Sequence, residues 1–269
     1  MNAIRPTAVA GQFYPGNPGE LEASVRRYLA EAKAAEGPIP KAVIAPHAGY
    51  VYSGSVAASA YARLAPARGR ITRVVLLGPC HRVPVRGLAL SGATAFASPL
   101  GEVPLDREMC ARLAELPQVE VSDASHAHEH SLEVHLPFLT VVLGNFALVP
   151  IAVGDASEAE VAEVLERAWG GPETLIVVSS DLSHYLSYDA ARALDAATCA
   201  AIEHLDGAAI GRDQACGRVP VKGLLALARK RGLGVVTADL RNSGDTAGPR
   251  DRVGGYGSWL FFEDESGPA

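Results

Sequence analysis

Arg73-Val-Val-Leu-Leu-Gly-Pro-Cys-His81 is a short apolar run that stops at Gly78-Pro79 and leaves an imidazole just beyond it. A run this short and this apolar reads as a strand buried on both faces. Two other stretches repeat the pattern. Lys41-Ala-Val-Ile-Ala-Pro-His47 ends in a proline and a histidine, and Thr174-Leu-Ile-Val-Val-Ser-Ser-Asp-Leu-Ser-His184 ends in hydroxyls, a carboxylate and a histidine. Ligands of open α/β sheets sit beyond the strand ends, so three such exits point to one shared site.

Outward from these runs, strand and helix signals alternate. Pro18 suits the first turn of a helix with Leu21, Val25, Tyr28 and Leu29 on one face, after a turn-rich arm over 11–18. Residues 47–54 read as a glycine-punctuated loop, followed from about Ser55 by a helix of small residues carrying Val56, Ala60 and Leu64. Leu88 to Leu90 reads as a short edge strand, and Asp106 caps a helix bearing Met109, Leu113 and Leu116. The spacing of Leu132, Leu136, Leu139 and Leu143 predicts a helix over 129–143, with Pro137 near its first turn or at a kink. Strands are expected at 146–153, 175–178, 234–240 and 256–262, and helices around Val161 to Trp169, Leu194 to Leu205 and Gly223 to Lys230. The fold class implied is α/β: one three-layer domain over 1–269, with a central mostly parallel or mixed sheet flanked by helices.

Composition narrows the function classes. With 48% hydrophobic and 20% charged residues and a formal charge of -6, the 269-residue chain reads as a soluble globular domain with no basic footprint for nucleic acid or anionic lipid, which leaves a small-molecule substrate. No apolar run approaches the roughly 20 residues of a membrane span, and Met1-Asn-Ala-Ile-Arg-Pro6 lacks a signal-peptide core, so a cytoplasmic location is expected. The four cysteines are irregularly spaced without a CxxC, which argues against a disulfide framework or a zinc ribbon.

His47 and His81 each follow a proline-marked strand exit, a rigid placement that suits two ligands of one metal ion; the plain alternative is that each bonds nearby loop backbone. Asp181 and His184 share a face if their segment turns helically, giving an acid that holds an imidazole for proton transfer, unless Asp181 or Ser179 merely caps a turn. Ser180 lacks the Gly-x-Ser-x-Gly elbow of a hydrolytic nucleophile. Residues 126–135 hold four of the eight histidines, yet His130 and His135 on one helix would stand roughly 140° apart. His126 and His128 read as a solvated loop, and Glu129 and His130 as pocket residues at a helix start. Cys216, in a glycine- and proline-marked connection between two helices, is placed either to present a thiolate or to pack. Cys110 and Cys199 read as core residues, and Cys80 as pointing away from its neighbour His81.

Six blocks taken together resemble the Memo family: Arg5-Pro-Thr-Ala-Val-Ala-Gly-Gln-Phe-Tyr-Pro15, Ala45-Pro-His-Ala-Gly-Tyr-Val-Tyr-Ser-Gly54, Gly78-Pro-Cys-His81, Glu129-His-Ser-Leu-Glu-Val-His-Leu-Pro137, Ser179-Ser-Asp-Leu-Ser-His-Tyr185 and Cys216-Gly-Arg-Val-Pro220. Bacterial and archaeal members carry the label of the AmmeMemoRadiSam system protein B, which implies association with Amme-type and radical-SAM proteins. The resemblance implies the fold of the LigB-type class III extradiol dioxygenases. It also implies a metal site at His47, His81 and Cys216, with His184, oriented by Asp181, moving a substrate proton. Tyr50, Tyr52, His130 and Glu129 are then expected to line the pocket. In the dioxygenases the third ligand is a carboxylate; a thiolate there suits Fe(II), and also copper or zinc. The implied activity is that of a metal-dependent oxidoreductase using O₂ on a small phenolic or chelating substrate. The alternatives are an adaptor that binds a partner in the same cleft, as eukaryotic relatives are thought to do in signalling, and a zinc-dependent hydrolase.

Overall fold

The computed structural model describes residues 3–32 and 37–263. Its centre is four parallel strands lying side by side in the order Ala42–Ala45, Thr174–Ser179, Arg73–Pro79 and Ala147–Val153. Successive side chains of a strand face opposite ways, and here both ways are apolar. Ile44, Val75, Leu77, Val149, Ile176 and Val178 feed one core, which meets Leu113, Val161, Ile202 and Leu224 of the helices Arg107–Leu113, Glu158–Ala168, Tyr188–Glu203 and Arg218–Arg231. Val43, Val74, Leu76, Leu148, Leu175 and Val177 feed the other, against Leu21, Ala57 and Phe138 of the helices Pro18–Glu31, Tyr50–Tyr61 and Leu136–Leu143. Antiparallel strands extend the sheet on both sides: Val253–Phe262 beside Ala42–Ala45, and Leu88–Leu90 beside Ala147–Val153. The result is the expected three-layer α/β domain, built on a mixed nine-stranded sheet. Among the described residues no helix is long and apolar enough to cross a membrane.

Several local expectations need correction. Leu88–Leu90 is no edge: it is buried, with Val119–Val121 paired to its far side. The second helix begins at Tyr50 instead of about Ser55, because Gly49 serves as its N-cap and the small residues that follow let it approach the first helix closely. A Cβ on Gly54 would come 2.9 Å from the Tyr28 ring. The helix expected over 129–143 starts only at Leu136, after a single 3₁₀ turn Glu133–His135, and Pro137 does lie in its first turn. Ahead of it the Glu129 carboxylate accepts the backbone N–H groups of His130 and Ser131, a local side-chain claim on donors that a helix would point along its axis. His126 is no solvated loop residue: it lies in the short helix Asp123–Ala127, is 1% exposed, and sets Nε2 2.9 Å from the Ala89 carbonyl. His128 is exposed.

The N-terminal arm is tied down by a buried ion pair. Glu133 accepts from the Arg5 guanidinium, from the backbone N–H of Ala8 (2.7 Å) and Val9 (3.0 Å) and from the Tyr14 hydroxyl (2.5 Å). Arg5 also donates to the carbonyls of His126 (2.9 Å) and Glu129 (2.6 Å). Every charge in the cluster is thus answered by hydrogen bonds. Glu133→Ala, which strands the Arg5 charge in the interior, is expected to destabilise the protein by about 3–5 kcal/mol in urea denaturation; an unchanged midpoint would show that the pair is dispensable.

Burial also sets the acid response. It pushes His126 down to about 4 and His135 down to about 3, so both are neutral in the fold while the unfolded chain protonates them near 6.5. Stability from these groups is lost as pH falls through 6.5 toward the folded values of about 4 for His126 and about 3 for His135, by about 2 kcal/mol for each at pH 5. Urea midpoints measured between pH 7 and 5 should fall, and His126→Gln should flatten that slope; a slope that His126→Gln leaves unchanged would remove His126 from the account.

Candidate metal centre and adjoining cleft

Because Ala42–Ala45, Thr174–Ser179 and Arg73–Pro79 are parallel neighbours, their C-terminal ends lie along one edge of the sheet. His47, Asp181 and His81 follow those ends directly. Asp181 Oδ1 accepts the backbone N–H of His47 at 2.7 Å and of Ala48 at 3.3 Å, which fastens one exit loop to the next. The buried His47 ring has Nδ1 2.6 Å from Ser179 Oγ and Nε2 3.4 Å from Cys216 Sγ.

His81 is gripped by one carboxylate. Its backbone N–H and its ring Nδ1 both donate to Glu129, at 2.5 and 2.9 Å, which leaves Nε2 as the free nitrogen. Burial opposes ionisation of Glu129, but the hydrogen bonds and charge of His81 and the Ser131 N–H outweigh it and hold the carboxyl at about 2.

Cys216 occupies the turn before the helix Arg218–Arg231. The Asp181 N–H points at its sulfur (3.3 Å), its own N–H donates to the Asp181 carbonyl (3.3 Å), and the Gly217 N–H donates to Ser180 Oγ (3.0 Å). A Cβ at Gly217 would stand 2.4 Å from the Ser179 carbonyl oxygen, so only glycine lets this turn press against the strand end. Burial, then the Asp181 charge, pushes the thiol up to about 12. A cation among these atoms would reverse that balance. One donor atom each from His47, His81 and Cys216 lies within 4.8 Å of the others. His81, Glu129 and His130 form a second such group, but the Glu129 oxygens there already hold four N–H donors.

Beside the cluster opens a cleft of about 380 Å³, bordered by Tyr52, His130, Asp181, His184, Tyr185 and Arg252 among others. His130 stacks on His81 with ring centres 4.9 Å apart, and its Nδ1 has no hydrogen-bond partner among the described residues. Phe13 meets the same ring edge-on, so the N-terminal arm forms one wall.

The structure brings together His47, His81 and Cys216, and sets Tyr52, His130, Asp181 and His184 around the cleft. Three expectations are corrected. Residues 180–183 are not helical, and His184 starts the strand His184–Leu186, paired with Val253–Phe262. No hydrogen bond joins it to Asp181 among the described residues, so Asp181 orients the 47–48 backbone instead of the His184 ring. Tyr50 does not line the pocket; its hydroxyl donates to the Val134 carbonyl (2.6 Å) and its ring lies in the core against Phe138. Glu129 sits behind His81, 1% exposed, outside the cleft wall. Cys80 Sγ points to the Val83 carbonyl (3.1 Å).

The sequence assigns no role to Tyr185 and Arg252, and it offers Ser179 only as a possible turn cap and His135 only as one of four clustered histidines. The clue to more at Ser179 is that it continues the alternation of Leu175 and Val177, and its Oγ meets His47 Nδ1. Tyr185 takes a left-handed φ of 61°, an uncommon state for a bulky residue and invisible in sequence.

The sequence matches the family described as Memo-like protein over residues 5–260. A MEMO1 family protein of Aquifex aeolicus is 34% identical over 273 residues, covering 96% of this chain and 99% of that one. A MEMO1 family protein of Archaeoglobus fulgidus is 35% identical over 271 residues, with the same coverage of 96% and 99%. Protein MEMO1 of Danio rerio is 34% identical over 221 residues, 77% of this chain and 72% of that one. The crystal structure of an uncharacterized protein from Escherichia coli K12 superposes with a TM-score of 0.58 at 12% identity, covering 83% of this chain and 100% of that one, a likeness of fold alone. With the family match running over most of its length, the chain belongs to the Memo family.

Proposed function

We propose that this chain is a metal-dependent oxidoreductase of the extradiol-dioxygenase type, holding Fe(II) through His47, His81 and Cys216 and acting with O₂ on a small phenolic or other chelating substrate. The observation that carries the reading is the convergence of two imidazoles and one thiol within 4.8 Å beside an open cleft. Two histidines with one carboxylate and open positions are the donor set of non-haem Fe(II) oxygenases, and here the Cys216 thiolate would take the carboxylate's place. The ion would supply the redox chemistry that O₂ requires.

The protein's own groups do the rest. Glu129 fixes the His81 ring and, through its backbone contact, the start of the exit loop. Asp181 locks His47 and Cys216 to one another through main-chain contacts on both sides. His184, at the exposed mouth of the cleft, moves the substrate proton, and Tyr52 and His130 confine the substrate. Association with Amme-type and radical-SAM proteins is part of the same proposal and rests on the family resemblance.

A second reading, a binding protein that uses this cleft, is favoured by one observation: Val51, Tyr52 and Tyr185 expose large apolar groups, at 62%, 40% and 71%, and Tyr52 and Tyr185 border the cleft itself.

Reconstitution separates the readings. Untagged protein loaded anaerobically with Fe(II) should retain one iron per chain and consume O₂ with members of a catechol panel, and His81→Ala or Cys216→Ala should abolish the retained iron. Retention of zinc without O₂ uptake would replace the oxygenase by a hydrolase, and an intact fold that takes up no metal would leave the binding protein.

Glu129→Gln keeps the shape of the side chain but weakens its hold on His81. Iron affinity in competition with a chelator should drop about 10–100-fold; equal affinity would show that Glu129 does not support the ligand.

A further inference from the structure

Ser179 closes the central strand Thr174–Ser179 and is fully buried. Three groups converge on its Oγ: the Ser131 carbonyl oxygen at 2.6 Å, His47 Nδ1 at 2.6 Å and His135 Nε2 at 2.8 Å. A serine hydroxyl has one proton to give and two lone pairs to receive with. A carbonyl oxygen only accepts, so the Ser179 proton goes to Ser131. Both imidazole nitrogens facing Oγ must then be donors. For His135 this puts the proton on Nε2 and leaves Nδ1 bare, and Nδ1 is the atom that faces the Tyr61 hydroxyl at 2.7 Å, a group able to donate. The Tyr61 contact is independent of Ser179 and agrees with the assignment. For His47 the same logic puts the proton on Nδ1.

We infer that Ser179 is a positioning residue that fixes His47 as the Nδ1–H tautomer, so that a bare Nε2 lone pair faces Cys216 before any metal arrives. The inference rests on the reading of His47 as a ligand. An imidazole coordinates through an unprotonated nitrogen, and the hydrogen bond at the other nitrogen decides which one that is. Without the Ser179 oxygen, a proton on Nδ1 would be buried with no acceptor. The opposite tautomer would then be preferred, because its Nε2–H would meet the Cys216 sulfur at 3.4 Å, with Asp181 Oδ2, 4.0 Å away, adding attraction through space and no hydrogen bond. That tautomer blocks the lone pair. At His81 the Glu129 carboxylate enforces the same choice, so one ligand is set by a charged acceptor and the other by a neutral hydroxyl whose own proton is committed elsewhere.

Long-range ¹H–¹⁵N correlation spectra of the metal-free protein distinguish Nδ1–H from Nε2–H histidines directly. His47 should appear as Nδ1–H and His135 as Nε2–H in the wild-type chain; His47 found as Nε2–H overturns the inference without any variant. In Ser179→Ala, His47 should move toward Nε2–H. Affinity for Co²⁺, read by the thiolate-to-cobalt absorption in competition with a chelator, should fall about 10–100-fold. His135→Leu, which removes a neighbouring contact but leaves Ser179 bonded to Ser131, should keep the wild-type His47 tautomer. A tautomer unmoved by Ser179→Ala, or moved equally by His135→Leu, overturns the positioning role. If the tautomers behave as expected while neither wild type nor variant binds Co²⁺, Ser179 still sets His47 and it is the reading of His47 as a ligand that fails.

Discussion

The parallel pairing of Ala42–Ala45, Thr174–Ser179 and Arg73–Pro79 is the constraint from which the site follows. Parallel strands in register finish together, and register is held here by apolar side chains on both faces, since a slip of one residue would exchange the contents of the two cores. With Ala45 opposite Ser179, and Val178 opposite Leu77, the residues next in sequence have little choice of place. Pro46 and Pro79 stiffen two of the exits.

Around that edge the polar groups are tied to one another, His130 Nδ1 excepted. Glu129 binds His81, Asp181 binds the backbone at His47, and Ser179 joins His47 to His135. The same segment that supplies Glu129 is held from behind by Arg5, which bonds the Glu129 carbonyl, and by Glu133, which receives the N-terminal arm. Glu129, Asp181 and Ser179 are tolerated in the interior because each is hydrogen-bonded, with partners drawn in part from distant stretches of the chain. The site is therefore supported by two layers: a sheet edge that sets position and a polar shell that sets orientation.

What was legible in the sequence divides along the same line. The strands were readable because β-branched runs such as Val74-Val75 and Ile176-Val177-Val178 have few other uses, and the alternation with helices gave the layer count. His47, His81 and Cys216 were accessible as separate suspicions and became a set through resemblance. Orientation was not legible. Asp181 and His184 are three residues apart, which suggested a shared helical face, but the pairing of His184–Leu186 with a strand some 70 residues later overrides the local pattern. Tyr50 reads as a loop aromatic because Gly49 and Gly54 resemble loop punctuation in the sequence, whereas in the structure they are a helix cap and a close helix contact. Ser179 reads in the sequence only as a possible turn cap, since a serine at a strand end is ordinary until its three partners are seen.

The strand that leads to His47, Ala42–Ala45, also has a history in time. It is made early, yet its two neighbours are residues 174–179 on one side and 253–262 on the other. Until those are synthesised its backbone has nothing in this sheet to pair with, and the chain must keep an apolar edge unsatisfied through most of its production. Residues 253–262, the last strand in order among the described residues, cover this edge through Trp259, Leu260 and Phe261 against Ile44, Val43 and Ala42. Assembly of the His47 side of the centre is thereby coupled to synthesis of residues 253–262: a nascent product that stops short of them carries the ligand residues but lacks the strand that covers Ala42–Ala45.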